Sequence, residues 1–318
     1  MKFLSFIKKT IRRIIPLRIL LPFYNFYVKF YATKHGFSIV SDKESFSIYK
    51  KNKALKISKH QALYLKDSID NFDFYYSAVE PIKSNTGELV DYSKPDWHRT
   101  VGFNLFPIFF PSVAEPVLTT QQYIDFASFR ENAIVIDLGA YAGLTSILFD
   151  MAIPGKGTVI AVEADDQSTI ACEKNFSRYK EITQKQIFLI KKAIWSHNNG
   201  ILFSSENTMG SSAAQLLGKD RGNNIFVPSI TLDKIAEDFS LTQVDFIKCD
   251  IEGGETKIFN SPKFFTQYRP KIIIECHFIH GICTAAACQK TLNRFGYTCE
   301  LIEQKGYPLP LLVCIPQT

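Results

Sequence analysis

No acidic residue occurs among the first 41 positions of this chain, although eight basic ones do: Lys2, Lys8, Lys9, Arg12, Arg13, Arg18, Lys29 and Lys34. The whole sequence carries +6, so the other 277 residues sum to −2 and the positive charge belongs to the N-terminus. A body without excess positive charge argues against a nucleic-acid partner, which needs a basic groove. No pair of the seven cysteines has the CxxC spacing, and their odd number inside apolar runs reads as reduced, buried thiols of a cytosolic protein. The run ECHFIHGICTAAAC gathers Cys276, His277, His280, Cys283 and Cys288. Zinc is conceivable there, but the spacing matches no standard zinc module and reads better as packed small residues. No unbroken apolar stretch of about 18 residues is present, because Pro16, Arg18, Pro22, Asn25 and Lys29 interrupt Ile14 to Tyr31, which argues against a spanning helix. A signal peptide's clean apolar core and cleavage site are missing, and a mitochondrial presequence would be richer in serine. No internal repeat and no long low-complexity segment is visible. The expectation is a cytoplasmic protein, with peripheral contact at the inner membrane face open to it.

What is present is ample material for a core: 46% hydrophobic residues, with 27 Phe and 14 Tyr, predict a folded, globular chain. MKFLSFIKKTIRRII sets Phe3, Leu4, Ile7, Ile11, Ile14 and Ile15 on one helical face and the basic residues on the other, with Pro16 expected to end the helix. Two readings stand level: a helix lying on an anionic membrane through residues 1–34, or an ordinary surface helix packed on the domain. We divide the chain into a basic amphipathic segment over 1–40, a small cap over 41–112 that ends within the proline-punctuated LFPIFFPSVAEP, and a main domain over 113–318.

In that main domain strands and helices alternate. Strands are predicted at 133–138, 157–163, 187–196, 200–204, 244–250, 271–276, 297–303 and 310–315. Helices are predicted at about 119–129, from Leu144, and at 167–179, 231–239, 254–260 and 284–295. Continuous apolar strands separated by helices imply a mostly parallel sheet covered on both faces, and the closely spaced last pair must form an antiparallel hairpin at one edge. This is the layout of an α/β, Rossmann-like class I methyltransferase: seven strands, a C-terminal hairpin and a small N-terminal region.

The stretch AIVIDLGAYAGLTSIL (133–148) runs from strand through a glycine turn into helix. In open parallel sheets ligands sit at the carboxyl ends of the strands. Gly139 permits the tight turn, and Gly143 permits close backbone approach and helix packing. The lysine of a nucleoside-triphosphate loop is absent from Gly143-Leu144-Thr145, and the second and third glycines of a dinucleotide fingerprint are absent from GAYAGL. Asp137, just before the turn, would repel phosphate but favour the cationic amine and sulfonium of S-adenosylmethionine. Glu163 ends the next strand, 20 residues after Gly143, where an acid accepts ribose hydroxyls of either cofactor type. Together these favour S-adenosylmethionine.

The motifs VIDLGAYAGLTS (135–146), VIAVEAD (159–165), KKAIWSHNNG (191–200), MGSS (209–212), TLD (231–233), VDFIKCDIEGGE (244–255) and RPKIIIECH (269–277) resemble, in order, the FkbM family of methyltransferases. The resemblance covers 133–277, and IKCDIEGGE followed by IIIE is its most specific part. It implies an S-adenosylmethionine-dependent O-methyltransferase whose acceptor is a sugar or polyketide hydroxyl, often in surface-glycan biosynthesis. Tyr141 stands where the family often has Asn, a departure that touches one contact at the methionine end. The candidate cofactor-binding residues are Asp137, Gly139, Ala140, Tyr141, Gly143, Glu163, Ala164, Ala193 and Asp250.

Methyl transfer to a hydroxyl requires alignment and removal of its proton. Asp250, His277 and Glu252 are the candidate catalytic residues, with Asp250 foremost. Asp250 or His277 would be the general base; alternatively Asp250, Glu252, Glu275 and His277 would hold a divalent ion. The spacing favours no metal, since Glu252 and Glu255 at a helix start are also explained by the helix dipole. His277 could equally be a satisfied core histidine, and SSENTMGSSAAQ either gates substrate or is plain surface loop. The expectation is an O-methyltransferase acting on a sugar, glycan or lipid-linked glycan. Its rivals are a non-catalytic scaffold of the same fold, a nicotinamide-dependent oxidoreductase and an RNA methyltransferase.

Overall fold

The structure, a computed structural model, describes residues 17–84, 87–205, 212–213 and 223–317. The helix expected over residues 2–15 lies outside them. The chain forms two compact units, the first running to Tyr76 and resuming over Pro81–Lys94, the second made of Ser77–Glu80 and Pro95–Thr318.

In the first unit, helix Leu17–Lys34 buries Val28 and Ala32 completely. The Tyr24 hydroxyl donates to the Leu63 carbonyl (3.1 Å) and Tyr31 donates to Asp70 (2.8 Å), so from Leu17 onward the N-terminal segment belongs to this unit. Its sheet runs Ser38–Ser41, Ser45–Lys50, Lys53–Ser58, Gly87–Tyr92, Ile82–Ser84 in spatial order. Only the Lys53–Ser58 and Gly87–Tyr92 pair is parallel. Phe46, Ile48, Leu55, Ile57, Val90 and Tyr92 form its buried face.

In the second unit the helices are α1 (Val117–Ala127), α2 (Leu144–Ala152), α3 (Asp166–Thr183), α4 (Leu232–Asp238), α5 (Glu255–Ile258), α6 (Pro262–Gln267) and α7 (Ala285–Asn293). The main-sheet strands are β1 (Ile134–Leu138), β2 (Thr158–Glu163), β3 (Phe188–Lys191), β4 (Phe246–Cys249), β5 (Lys271–Glu275), β6 (Tyr297–Ile302) and β7 (Leu311–Pro316). Their spatial order is β3-β2-β1-β4-β5-β7-β6. The first five are parallel, and β7 runs antiparallel to both β5 and β6. This is the class I methyltransferase arrangement. Every residue of β4 is buried, as are Val135–Leu138 and Ile272–Glu275, which is what helices on both faces impose. Reversal of strand order beside β1 opens a crevice at the carboxyl ends of β1, β2, β4 and β5.

The structure departs from the expected elements in four places. Residues 95–112 join the second unit as a hairpin of Asp96–Thr100 and Phe103–Phe110, because fully buried Asn175 on α3 both accepts from the Phe109 N–H and donates to its carbonyl, each at 2.9 Å. The strand expected over 187–196 breaks at Lys192; Ala193–Ile194 leaves the main sheet to pair with Ser229–Ile230. The loop expected over 205–227 contains strand Asn223–Val227, antiparallel to Ile201–Ser205, with Ser212–Ala213 on that strand's other side. The rest of the expected gating stretch lies outside the described residues. Finally, the cysteines are not all reduced. Cys299 and Cys314 face each other across β6 and β7, 4.1 Å apart at Cα, and form a disulfide, while Cys172, Cys249, Cys276, Cys283 and Cys288 are free.

Candidate active site

The glycine turn after β1 is held by its own backbone and by one lysine. Gly139 (φ +78°), Tyr141 (φ +52°) and Gly143 (φ +77°) all take the left-handed region. The N–H groups of Gly139 and Ala140 donate to the Val162 carbonyl at 2.9 and 3.2 Å. A Cβ on Gly139 would overlap the Asp250 carbonyl oxygen, so the turn after β1 and the end of β4 touch backbone to backbone. Lys248, 5% exposed on β4, donates from Nζ to the Gly139 carbonyl (2.7 Å) and lies 3.3 Å from Asp137 and 3.4 Å from Asp250.

Asp137 is completely buried and is not on the cavity wall. Its carboxylate lies beneath the turn, accepting from Ser146 Oγ (2.5 Å) and pairing with Lys248. Burial lifts its pKa above the ordinary carboxylate value against the lowering pull of Lys248. Burial also lowers the Lys248 pKa, but Asp137 and Asp250 outweigh it and the net shift is upward. Gly143 likewise does not line the cavity: a Cβ there would come within 2.5 Å of the Phe176 ring on α3, so its role is helix packing.

Gly139, Ala140, Tyr141, Glu163, Ala164, Ala193, Asp250 and Glu252 all line one cavity. The Tyr141 hydroxyl donates to the Val113 carbonyl at 2.8 Å, and its φ explains why Asn, tolerant of this conformation, suits the position. Glu163 ends β2 and accepts the N–H groups of Tyr141 (2.7 Å), Ala164 (2.7 Å) and Asp165 (2.8 Å). Burial pushes its pKa up to about 7, opposed by those bonds. An ionised carboxylate has about four acceptor sites, so one remains for a ligand hydroxyl. Beside Ala164 the wall is apolar, built by Ala193, Trp195, Ile201, Phe203 and Ala213.

The other end of the cavity is acidic. Glu115, Asp250, Glu252 and Glu275 all reach it. Burial and the charge of Asp250 push the Glu115 carboxyl up to about 8. Glu275, 4% exposed at the end of β5, is raised well above its ordinary value by burial and then by Asp250 and Glu115. Gln304 donates to Glu275 at 3.1 Å, and Tyr123 donates to the same oxygen at 3.4 Å. His277 sits behind this wall, 7% exposed, with Nδ1 bonded to fully buried Glu255 at 2.8 Å. Burial depresses the His277 pKa, yet Glu252 and Glu255 outweigh it and raise it well above the ordinary value.

Eight of the eleven candidate residues therefore line one cavity, while Asp137 and His277 lie behind its wall and Gly143 packs against α3. Sequence reasoning missed Glu115, Tyr123 and Trp195. Glu115 lies in SVAEP, where a lone acid between apolar residues was the available signal. Lys248 carried a clearer one, a lysine inside an otherwise apolar strand, FIKC.

The sequence matches the methyltransferase FkbM domain over residues 137–309. Among curated proteins none matches the chain. Several solved structures resemble it. The precorrin-6y C5,15-methyltransferase of Geobacter metallireducens is 12% identical, with TM-score 0.41 over 63% of this chain and 87% of its own. The FkbM methyltransferase of Methylobacillus flagellatus is 15% identical, with TM-score 0.42 over 61% of this chain and 50% of its own. An O-methyltransferase of Bacillus cereus, solved in complex with SAH, is 13% identical, with TM-score 0.34 over 62% of this chain and 78% of its own.

Proposed function

The chain belongs to the FkbM methyltransferase family, and from that premise we propose that it transfers the methyl group of S-adenosylmethionine to a hydroxyl of a sugar, glycan or lipid-linked glycan. One observation carries the cofactor: a single cavity combines an apolar wall, the Glu163 carboxylate and a group of further acids. Adenine suits the first, a ribose hydroxyl the second, and the cationic sulfonium and amine the third. Among the described residues no lysine or arginine besides Lys192 and Lys248 lines the cavity, and Lys248 is engaged by carboxylates, so a pyrophosphate would meet little compensating charge from them.

In the proposed reaction the acceptor oxygen attacks the methyl carbon in line with the sulfur. The carbon–sulfur bond breaks, its electron pair leaves sulfur neutral in S-adenosylhomocysteine, and the hydroxyl proton passes to Asp250. Asp250 is the candidate base because its backbone meets the glycine turn at Gly139 and its carboxylate lines the cavity at the end of β4. Asp250→Asn should lower methyl transfer by about 10²- to 10⁴-fold, with S-adenosylhomocysteine affinity changed only a few-fold.

The proposal includes a cytoplasmic site of action with peripheral membrane contact through residues 1–34. In support, Phe26 and Phe30 are 78% and 57% exposed on helix Leu17–Lys34, beside exposed Lys29 and Lys34. Among the described residues no helix is long and apolar enough to cross a membrane.

Incubation with methyl-labelled S-adenosylmethionine and separate pools of nucleotide sugars, glycans, lipid-linked glycans and RNA tests the acceptor. Alkali-stable label in a carbohydrate pool is expected, as for an ether. Label in RNA alone, or none in any carbohydrate pool, would overturn it.

A further inference from the structure

His277 has one nitrogen satisfied and one without a hydrogen bond. Nδ1 lies 2.8 Å from Glu255 Oε1, and since an ionised carboxylate only accepts, Nδ1 carries a proton. Nε2 makes no hydrogen bond, although His277 is only 7% exposed. It faces three carboxylate oxygens: Glu252 at 3.5 Å, Asp250 at 3.7 Å and Glu275 at 3.7 Å. These gaps are too long for charge-assisted hydrogen bonds, which run about 2.7–2.9 Å. They suit ligand atoms around one ion. Donors about 2.0–2.2 Å from a tetrahedral or octahedral ion lie roughly 2.8–3.6 Å from one another, so the Glu252 gap fits as it stands and the two 3.7 Å gaps would close slightly around an ion.

We propose that Asp250, Glu252 and His277 form a binding site for a divalent first-row transition-metal ion, with Glu275 at its edge. One ligand atom from each of the three lies within 4.8 Å of the other two. They converge from the end of β4, the loop before α5 and the segment after β5. Glu255, completely buried, sets the His277 ring from behind, as carboxylates commonly do for metal-bound imidazoles. Gly253 donates its N–H to the same Glu255 oxygen at 2.9 Å, fixing that carboxylate in turn. The neighbourhood is short of positive charge: Glu115, Asp250, Glu252 and Glu275 line the cavity, and Lys248 divides itself between Asp137 and Asp250. An imidazole among the donors favours Zn²⁺, while the two carboxylates admit Mn²⁺, the weaker binder in the Irving–Williams order.

Three protein ligands leave further positions open, and Asp250 and Glu252 present them to the cavity. The inference rests on the methyl-transfer reading and changes one role in it: an acceptor hydroxyl bound to the ion is acidified by it and gives its proton to solvent, and Asp250 then serves as ligand instead of base.

The test is titration of chelator-stripped full-length protein with Mn²⁺, followed by calorimetry and electron paramagnetic resonance, with Zn²⁺ in competition. One Mn²⁺ per chain is expected, displaced by Zn²⁺. Glu252→Gln, at a half-buried position that should fold normally, should weaken binding at least tenfold, and His277→Gln should weaken it further. Titration of the same samples with S-adenosylhomocysteine separates the two claims, because its loss would strike the cofactor reading and leave the ion site standing. Absence of stoichiometric Mn²⁺ and Zn²⁺ binding by folded wild-type protein, or a Glu252→Gln variant that binds Mn²⁺ like wild type, would overturn the proposal.

Discussion

Substitution of Gly139 by alanine tests how the glycine turn is built. Gly139 and Gly36 share φ +78°, so alanine at either pays the same left-handed penalty, about 1–2 kcal/mol. Their surroundings differ. Nothing lies within 4 Å of a Cβ on Gly36, whereas a Cβ on Gly139 meets the backbone carbonyl of Asp250. Backbone cannot rotate aside like a side chain, so overpacking at Gly139 adds about 1–3 kcal/mol. Gly36→Ala should therefore cost about 1–2 kcal/mol and Gly139→Ala about 2–5 kcal/mol. At about 2–4 °C per kcal/mol for a unit of this size, the Gly139 variant should melt roughly 5–15 °C below wild type. The forced movement also separates the Gly139 and Ala140 N–H groups from Val162 and shifts the cavity wall. S-adenosylhomocysteine affinity should fall by about 100-fold, a loss near 2.7 kcal/mol. Differential scanning calorimetry and binding titration of both variants give the comparison. If Gly139→Ala melts with Gly36→Ala and binds like wild type, the backbone contact between β1 and β4 is wrong.

Lys248→Met should be more damaging than its surface count suggests, because it strands fully buried Asp137. Urea denaturation should show a loss of about 3–5 kcal/mol, largely recovered by adding Asp137→Asn. Glu115 is raised to about 8 in the fold from an ordinary 4.5, so the unfolded chain ionises while the folded one holds its proton. That cost to stability grows as pH rises from about 4.5 to about 8, and Glu115→Gln removes it. The variant should therefore gain in Tm over wild type at pH 8.5 and lose that advantage at pH 4.5. Protein purified without reductant and alkylated under denaturing conditions should show five reactive thiols by mass spectrometry, rising to seven after reduction. Seven before reduction would remove the Cys299–Cys314 bond and restore the all-reduced reading that suits a cytoplasmic protein.

The alternation of the main domain was legible because its strands are buried on both faces and read as apolar runs of limited length. The glycine turn was legible because its constraints are local: a positive φ at Gly139 needs only the residue itself. Asp137 was assigned to the ligand because it adjoins that turn. Its actual partner is Lys248, 111 positions further along the chain and brought alongside only by the register of β4 on β1. Glu115 was hidden for a similar reason. Prolines 107, 111 and 116 erase periodicity around it, and the boundary drawn at 112 cut it off from Phe109, which the Asn175 side chain ties to α3. The Cys299–Cys314 pair depends on the pairing of β6 and β7, which fixes which cysteines are opposite. In the first unit FSIVSDKESFSIYK alternates clearly enough to read as strand and folds as Ser38–Ser41 and Ser45–Lys50, whereas Ile82–Ser84 and Gly87–Tyr92 are too short and too little buried to read.

Calorimetric titration of the purified protein with S-adenosylmethionine and S-adenosylhomocysteine, with NAD as the comparison, tests the central claim most directly. The account predicts micromolar binding of the first two and none of NAD. Binding of NAD alone, or of none of the three by well-folded protein, would contradict it.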